Sequence, residues 1–380
     1  MGEAQVDCPE ELGQGMSIMK PRERVQMALN HETPDRCPMQ ISFTPEFAAR
    51  LQRDMELQGR VAHNPHGGGN TYDLERALGE DVPLTSVGWA NSYYMDDKPY
   101  VDEWGIGWGV QPYHTPYGTG HYTEIISHPL AESDAIASYK APDPQRSDLY
   151  LDAEQALREF GADYWIVGVT VTTIFETAWA LRGLEQILID MAVDHDLAHH
   201  LLDIPYHYHL TAAKKLVEMG VDMIWIGDDV GSQHEMLISP RMWRRYFKDR
   251  MANFIGELKA INPAVKVAYH SDGDISRIIP ELIEIGLDVL NPIQPASMDP
   301  AEIKRQFGDR LSFWGTIDEQ HTLPFGSPAE VQAEVRERLA TVGKDGGLIL
   351  APTHHVQLDT PLDNFWAMVN TIQHTPYGAW

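Results

Sequence analysis

Cysteine, basic residues and long apolar runs are all scarce in this sequence. Only two of its 380 residues are cysteines, Cys8 and Cys37, which excludes a disulfide framework and favours a reducing compartment. No stretch approaches the ~20 consecutive apolar residues of a membrane helix. The acidic first residues lack the apolar run of a secretory signal. We therefore expect a cytoplasmic protein that is not anchored in a membrane.

The charge balance is strongly acidic. Twenty-nine Lys and Arg residues stand against 56 Asp and Glu residues, a formal net charge of −27. A surface of that sign repels nucleic acids and anionic membranes, so neither is an expected partner. It also disfavours a substrate with many carboxylates. The sequence contains no Walker loop, no GxGxxG after a strand, no GxSxG and no CxxC, which leaves covalent serine or cysteine catalysis without support.

Short apolar runs alternate with helical patterns along most of the chain. We predict eight strands, at residues 37–43, 82–89, 165–170, 222–228, 265–270, 287–293, 311–317 and 347–353. Several of the segments between them start at Ser, Asp or Pro and end at Gly, as helices do. Strands that alternate with helices pair in parallel, and eight such units can close into a barrel. The sequence thus predicts an α/β fold, a single (β/α)8 TIM barrel over residues 19–380, after an N-terminal arm at residues 1–18.

One region interrupts this alternation between the second and third predicted strands. Residues 90–160 are rich in Tyr, Trp, Gly and His in their first part, and we predict an inserted hairpin or lid. A cover over the active site and a surface excursion that only packs against the barrel both fit this composition.

Polar side chains concentrate at the carboxyl ends of the predicted strands, where TIM-barrel enzymes place their active sites. His270 and Asp272 are two residues apart, so they point the same way from an extended strand end. Together with His354, which follows the last strand, they could bind a divalent metal such as zinc and leave a position open for substrate. In the alternative interpretation, Asp272 only orients the His270 ring or caps the following helix.

Other residues at the strand ends are predicted to serve the same site. Of the adjacent acids Asp228 and Asp229, we expect Asp229 to face the barrel mouth, because neighbours on a strand point oppositely. Asp229 and His354 are the candidate catalytic groups, for general base and proton donor roles. The predicted substrate-binding residues are Gln40, Ser42, Trp89, Thr170, Gln294, His355 and Gln357.

Five segments resemble the uroporphyrinogen decarboxylase superfamily, and they occur in the same order. They read RERVQMALNHETPDRCP, DDVGSQHEMLISPRMWRRYF, VKVAYHSDGDISRIIPELIEIGLDVLNPIQP, LSFWGTID and GGLILAPTHHVQLDTPLDNFWAM. The resemblance extends from about residue 18 to the end of the chain. It implies a (β/α)8 barrel with one central cleft, often assembled as a homodimer.

The resemblance implies two kinds of chemistry. The decarboxylases of the superfamily hold a tetrapyrrole through arginines after the first strand and an aspartate after the second, which PMQISFTPEF and LTSVGWANS lack. Its zinc methyltransferases use a His-x-Cys pair on the fifth strand and a Cys on the last. His270 matches that histidine, whereas Asp272 and His354 stand where the two cysteines would be. These replacements make a metal harder and more Lewis acidic, which suits polarising a substrate oxygen.

The leading hypothesis is therefore a zinc-dependent methyltransferase or demethylase. It moves a methyl group from a small donor, an aromatic ether or an amine, to a corrinoid carried by a partner protein. A second hypothesis is a cofactor-free decarboxylase or lyase that acts on a small carboxylic acid. A third is a non-catalytic barrel that binds a small ligand, which the density of polar groups at the strand ends disfavours.

Overall fold

Seven parallel strands form the central sheet of the computed structural model, which describes residues 19–58 and 62–379. The strands in chain order are β1 (Leu84–Ser86), β2 (Tyr100–Val101), β3 (Gly107–Thr115), β4 (Gly118–Ser127), β5 (Val167–Val169), β6 (Met223–Gly227), β7 (Lys266–His270), β8 (Val289–Asn291), β9 (Ser312–Ile317) and β10 (Leu348–Pro352). The central sheet has the order β1-β5-β6-β7-β8-β9-β10. Each of these strands lies within a predicted one, which confirms the TIM-barrel-like α/β fold.

The first predicted strand, residues 37–43, forms isolated bridges instead of a regular strand. Met39 and Phe43 bridge in parallel to the chain at and after β10. On the other side, the Asp81 N–H donates to the Met39 carbonyl at 2.9 Å. The segment therefore lies between β10 and the entry to β1. Pro38 has no N–H to donate, which is one reason why the ladder stays incomplete here.

The helices surround this sheet. They are α1 (Pro21–Leu29), α2 (Pro45–Asp54), α3 (Asp73–Ala77), α4 (Ser133–Ile136), α5 (Leu151–Phe160), α6 (Phe175–Arg182), α7 (Leu184–Val193), α8 (His195–Met219), α9 (Pro240–Trp243), α10 (Asp249–Ile261), α11 (Ile279–Glu284), α12 (Pro300–Phe307), α13 (Thr322–Phe325), α14 (Pro328–Thr341) and α15 (Leu362–His374). Two 3₁₀ turns cover Trp89–Ser92 and Ser147–Tyr150, and a π-helical segment, Arg244–Lys248, joins α9 to α10. None of the helices in these described ranges is both long and apolar enough to cross a membrane.

The strands separate two apolar layers. Met223 and Trp225 of β6 belong to an inner cluster, whereas Ile224 and Ile226 belong to the larger cluster that includes the helices. This alternation follows from the two-residue period of a strand. The inner cluster also contains Val25 of α1, so this helix contributes to the interior of the barrel.

The insert contains an antiparallel sheet of β2, β3 and β4, and the predicted hairpin is thereby confirmed. Asp102 anchors it: this buried carboxylate accepts the indole N–H groups of Trp89 and Trp108, each at 3.0 Å. At the hairpin tip, the Arg50 guanidinium lies 3.9 Å from the centre of the Tyr117 ring. The predicted N-terminal arm, residues 1–18, lies outside the described residues.

Candidate functional site

A cavity with about 200 Å³ of water-accessible volume lies at the carboxyl ends of the barrel strands. It is lined by Gln40, Ser42, His66, Tyr93, Tyr94, Val171, Thr172, Glu176, Trp225, Asp229, His270, Asn291, Trp314, Pro352, Thr353, His354 and His355. Because most of these residues come from the seven central strands or the loops after them, the fold itself assembles the site.

A histidine and two carboxylates converge at one side of this cavity, where Asp229 and His270 belong to the lining and Asp272 lies next to them. One ligand atom each of Asp229, His270 and Asp272 can be chosen so that all lie within 4.8 Å of one another. The His270 Nε2 atom is 3.5 Å from the Asp229 Oδ1 atom and 3.8 Å from the Asp272 Oδ1 atom. The main chain ties the acids together, since the Asp272 N–H donates to the Asp229 carboxylate at 2.8 Å.

The hydrogen bonds around this group suit a metal. The His270 Nδ1–H donates to the Asn291 side-chain oxygen at 2.6 Å, and the Asn291 amide donates to the Trp314 carbonyl at 2.9 Å. This chain fixes the imidazole so that its Nε2 lone pair is free for a ligand. The Asp272 Oδ1 atom is buried and has no hydrogen-bond partner among the described residues. Imidazole and carboxylate donors fit zinc and other divalent ions.

The two adjacent acids after β6 have different surroundings, as the sequence predicts. The Asp228 carboxylate is buried and accepts the N–H groups of Ile174 and Glu176 at the start of α6. Its burial raises the pKa of Asp228 to about 7. The Asp229 side chain keeps 41% of its surface exposed and lines the cavity, so Asp229 is the acid that a ligand can reach.

Glu176 is a cavity residue that the sequence analysis missed. Its carboxylate accepts the Asp229 N–H at 3.2 Å, and burial together with the nearby Asp229 charge holds the pKa of Glu176 well above its usual range. The residue lies in the first turn of α6, directly after the turn that follows β5. An acid at that position in FETAWALR is the signal that could have identified it.

Histidines form another part of the lining. His354 is exposed at the cavity wall but lies outside the three-residue group within 4.8 Å. Its ring centre is 4.4 Å from that of His355, which in turn lies 4.9 Å from His66. Burial lowers the pKa of His66 to about 3 and that of His355 well below its usual value. Both rings are therefore neutral near pH 7. His66 comes from a loop after α2, and no strand pattern pointed to it.

The structure places four predicted substrate-binding residues outside the cavity lining, while Gln40, Ser42 and His355 line it. Trp89 is fully buried against Trp108, with ring centres 5.5 Å apart. Thr170 is also fully buried. Its neighbours Val169 and Val171 point into the barrel, so the Thr170 side chain points to the opposite face of the strand. The other two residues are Gln294 and Gln357.

Gln294 and Gln357 follow their strands but do not reach the cavity. The Gln294 side-chain oxygen accepts the Gly273 N–H at 2.8 Å, so Gln294 holds the turn that carries Asp272. Gln357 is exposed beyond the lining. Both residues lie in loops, whose direction the two-residue strand period does not determine.

Trp225 and Trp314 form a further part of the lining that the sequence analysis missed. The rings of Trp225 and Trp314 lie 4.6 Å apart, and the edge of His270 meets Trp225 with ring centres 5.7 Å apart. Tyr94 and Thr172 have positive φ angles of 61° and 60°. Such backbone is uncommon for residues with a Cβ and concentrates at functional sites.

Residues 113–375 match the uroporphyrinogen decarboxylase (URO-D) family. The chain belongs to this family. A methylcobamide:CoM methyltransferase MtaA from Methanosarcina barkeri is 30% identical over 175 residues, which cover 46% of this chain and 48% of that relative. A uroporphyrinogen decarboxylase from Actinobacillus succinogenes is 21% identical over 370 residues, which cover 92% of this chain and 95% of that relative.

A solved structure shares the fold. The structure of a methyltransferase from Methanosarcina mazei aligns with a TM-score of 0.65 at 20% identity, covering 94% of this chain and 99% of that one. The chain spans about half the length of the MtaA relative in their alignment. The comparisons thus establish the URO-D fold and family, and the relatives named here are enzymes.

Proposed function

We propose that the chain is a metal-dependent methyltransferase or demethylase, which moves a methyl group from a small donor to a corrinoid carried by a partner protein. The observation that carries this proposal is the group of Asp229, His270 and Asp272 in a cavity of this family's barrel. The likeness to a methylcobamide:CoM methyltransferase across 46% of this chain supports the same reaction class.

The charge of the cavity favours methyl transfer over decarboxylation. Among the described residues that line it, Asp229 and Glu176 are acidic and there is no Lys or Arg. A substrate carboxylate would find no Lys or Arg in this lining to pair with, and burying an unpaired charge is costly. A decarboxylase or lyase for a small acid is therefore the weaker candidate, and the tetrapyrrole acids are disfavoured most.

The roles of the residues follow from their positions. His270, Asp229 and Asp272 would hold zinc, which, when bound, supplies a Lewis acid for a heteroatom of the methyl donor. Asn291 keeps the His270 ring in place for this task. His354, at the exposed wall of the cavity, would return a proton to the donor after the methyl group leaves. In the alternative arrangement, which the sequence predicts, His354 is itself a metal ligand.

The size of the cavity explains why we propose a partner. About 200 Å³ suits a small donor molecule, while a corrinoid is much larger and would have to be presented at the mouth by its own protein. Assembly as a homodimer and a single barrel domain over residues 19–380 remain predictions from the family resemblance.

The test is a methyl-transfer assay with purified, zinc-loaded protein, a reduced corrinoid protein and a panel of small methyl donors. Conversion of the corrinoid spectrum to that of its methylated form, lost in His270→Ala and kept in His200→Ala, is the expected result. Release of CO₂ from small acids without methyl transfer would favour the lyase. Tight ligand binding without any turnover would favour the non-catalytic barrel.

A further inference from the structure

The barrel wall is interrupted between the first predicted strand and β1. The Asp81 N–H donates to the Met39 carbonyl at 2.9 Å, as it would in a parallel ladder. The next donor in register belongs to Pro83, which has no N–H. The Ile41 N–H donates instead to the Glu80 carboxylate at 3.0 Å. A carboxylic side chain thus occupies the place of a strand-to-strand bond, and the two segments are held apart.

A small cavity lies in this gap. It has about 10 Å³ of water-accessible volume, which is close to what one water molecule needs. Gln40 and Ser42 line both this cavity and the larger cavity at the barrel mouth, so the gap lies directly behind the wall of the functional site. We call the gap, which is also lined by His63, Glu75 and Glu80, the seam.

Two polar atoms of the seam are unused. The His63 Nε2 atom and the Glu80 Oε1 atom are buried and have no hydrogen-bond partner among the described residues. Buried polar groups of this kind are usually satisfied by protein or by ordered water. Because both residues line the same small cavity, one water molecule placed there can bond to both. The seam therefore suits a chain of hydrogen bonds better than apolar packing.

The surroundings of Glu80 favour a proton on its carboxylate. Its burial, and after it the nearby charges of Glu75 and Asp81, hold the pKa of Glu80 well above its usual range. Asp81 is itself paired with two arginines, whereas Glu80 has no cationic partner in the described part of the chain. The Glu80 Oε2 atom accepts the Ile41 N–H, so the proton belongs on Oε1, the atom without a partner.

A histidine and a second acid stand on the outer side of the seam. The His63 Nδ1 atom lies 2.9 Å from the Glu75 Oε1 atom. Since an ionised carboxylate only accepts, Nδ1 carries the hydrogen and Nε2 is free to take up a proton. The His63 ring stacks on Phe43 of the larger apolar cluster. The Glu75 side chain keeps 8% of its surface exposed, which gives the pair contact with solvent.

We propose that the seam is a proton path through the barrel wall, in which Glu80 passes protons from His63 to the cavity at the mouth. The inference rests on the proposed function for its purpose, since the demethylated donor takes up one proton while the partner protein covers the mouth. Glu80 releases its Oε1 proton through the Ser42 hydroxyl and regains one from His63, which takes one from solvent. The net change is one proton moved from solvent to the product, and no electrons are transferred.

Infrared spectroscopy tests the path without any turnover. The difference between the spectra of the wild-type protein and Glu80→Gln at pH 7 should contain the C=O band of one protonated acid. In D₂O this band should shift, at least about tenfold more slowly in His63→Gln, which cannot carry a proton. The control is Glu334→Gln, at a buried acid outside the seam that also accepts a main-chain N–H; the Glu80 band and its exchange should be unchanged there. A missing band, or equal exchange in His63→Gln and the wild-type protein, would overturn the proposal.

Turnover tests the direction of the path. With a reduced corrinoid protein and a methyl donor, Glu80→Gln should lower kcat at least about tenfold at pH 8.5, with KM unchanged. The loss should shrink as the pH falls, because the proton then has to come from the solution. Glu80→Asp, which keeps an acid, should retain most of the rate, and Glu334→Gln should match the wild-type protein. A loss in Glu80→Gln that is equal at every pH would indicate a structural role and contradict the proposal.

The two proposals fail in different ways. If the wild-type protein transfers no methyl group from any donor, the proposed function fails, and the exchange of the Glu80 band decides on the path. If methyl transfer occurs and Glu80→Gln keeps the wild-type rate at every pH, the proposed function stands and the proton path is wrong.

Discussion

The His270 imidazole is oriented by one amide, since its Nδ1–H donates to the Asn291 oxygen. Partners of this kind fix the tautomer and direction of a metal-binding histidine, and their loss typically costs ~10–100-fold in metal affinity. We therefore expect Asn291→Ala to weaken zinc binding by about that factor, as measured by competition with a chromogenic chelator. Asn291→Asp, which keeps an acceptor oxygen, should retain most of the affinity.

The matched control is Asn253→Ala. Asn253 donates to the Tyr206 hydroxyl on the helical layer and should leave zinc affinity unchanged. Equal affinities for Asn291→Ala and the wild-type protein would show that His270 does not depend on this amide.

His209 gives a prediction for pH. It is fully buried, its Nδ1–H donates to the Pro205 carbonyl, and its Nε2 atom accepts the Trp89 N–H. Burial lowers the pKa of His209 to about 4, whereas the unfolded chain has a histidine pKa of ~6.5. Between these values only the unfolded chain is protonated at this residue. The histidine therefore makes the free energy of unfolding fall as the pH drops from about 6.5 to 4, by up to about 3 kcal/mol.

In His209→Gln this part of the pH dependence should disappear, whatever the substitution costs at pH 7. Urea unfolding at pH 7 and pH 4.5 measures it, with His200→Gln, an exposed site on the same helix, as the control. A slope in His209→Gln equal to that of the wild-type protein would mean that another group titrates.

At the residue scale, regular strands made prediction possible. The division between a buried Asp228 and a reachable Asp229 follows from the alternation of side chains along a strand. Glu176 and His66 could not be found in this way. One lies in the first turn of a helix and the other in a loop, so both reach the cavity through tertiary packing that no local period encodes.

At the scale of elements, one buried acid holds the base of the insert together and ties it to the end of the second predicted strand through Trp89. Asp102 accepts two indole N–H groups and the main-chain N–H groups of Trp104 and Ile106. Asp102→Ala leaves these donors without a partner, and one stranded buried donor costs ~1–3 kcal/mol. We expect a loss of at least about 3 kcal/mol in the free energy of unfolding, measured in urea.

The control for this element is Asp134→Ala, at an exposed acid of α4. Hydrogen exchange should accelerate in β2, β3 and β4 of Asp102→Ala before it does so in the barrel strands. Unchanged exchange in the insert would mean that other contacts hold it, such as the β3–β4 pairing, the Arg50–Tyr117 contact and the bond from the His121 N–H to Glu46.

The hairpin was predictable because its aromatic and glycine-rich sequence breaks the alternation of strands and helices. Its anchoring was not, because Asp102 reads as an ordinary surface acid until the indole groups of Trp89 and Trp108 are brought to it. Trp89 was expected in the cavity because it ends a predicted strand. In the structure it is instead buried against Trp108 of the insert.

At the scale of the whole molecule, the net charge of −27 opposes compaction through repulsion between like charges. Salt shortens the range of this repulsion. Raising NaCl from ~10 mM to ~300 mM should therefore increase Tm. In a large domain, Tm rises by about 2 °C for each kcal/mol that is gained in the free energy of unfolding. Calorimetry at equal ionic strength in NaCl and Na₂SO₄ separates screening from effects specific to sulfate. A fall in Tm with NaCl would contradict the argument.

The barrel was predictable as a whole because seven of its strands are short apolar runs between capped helices. The way in which the barrel closes was less predictable. Residues 37–43 carry the pattern of a strand, yet the Met39 N–H donates to the Asp81 carboxylate instead of to a neighbouring strand. The same carboxylate pairs with Arg24 and Arg36 at 2.6 and 2.8 Å. These ion pairs are long-range contacts, which a local pattern does not contain.

The central claim is a metal site at Asp229, His270 and Asp272, and elemental analysis of the purified protein tests it most directly. The arrangement predicts close to one zinc ion per chain in the wild-type protein and in Trp366→Leu. It predicts its loss in both Asp229→Ala and His270→Ala and its retention in His354→Ala. A wild-type protein without metal after loading and dialysis, or loss of zinc in His354→Ala but not in Asp229→Ala, would contradict it.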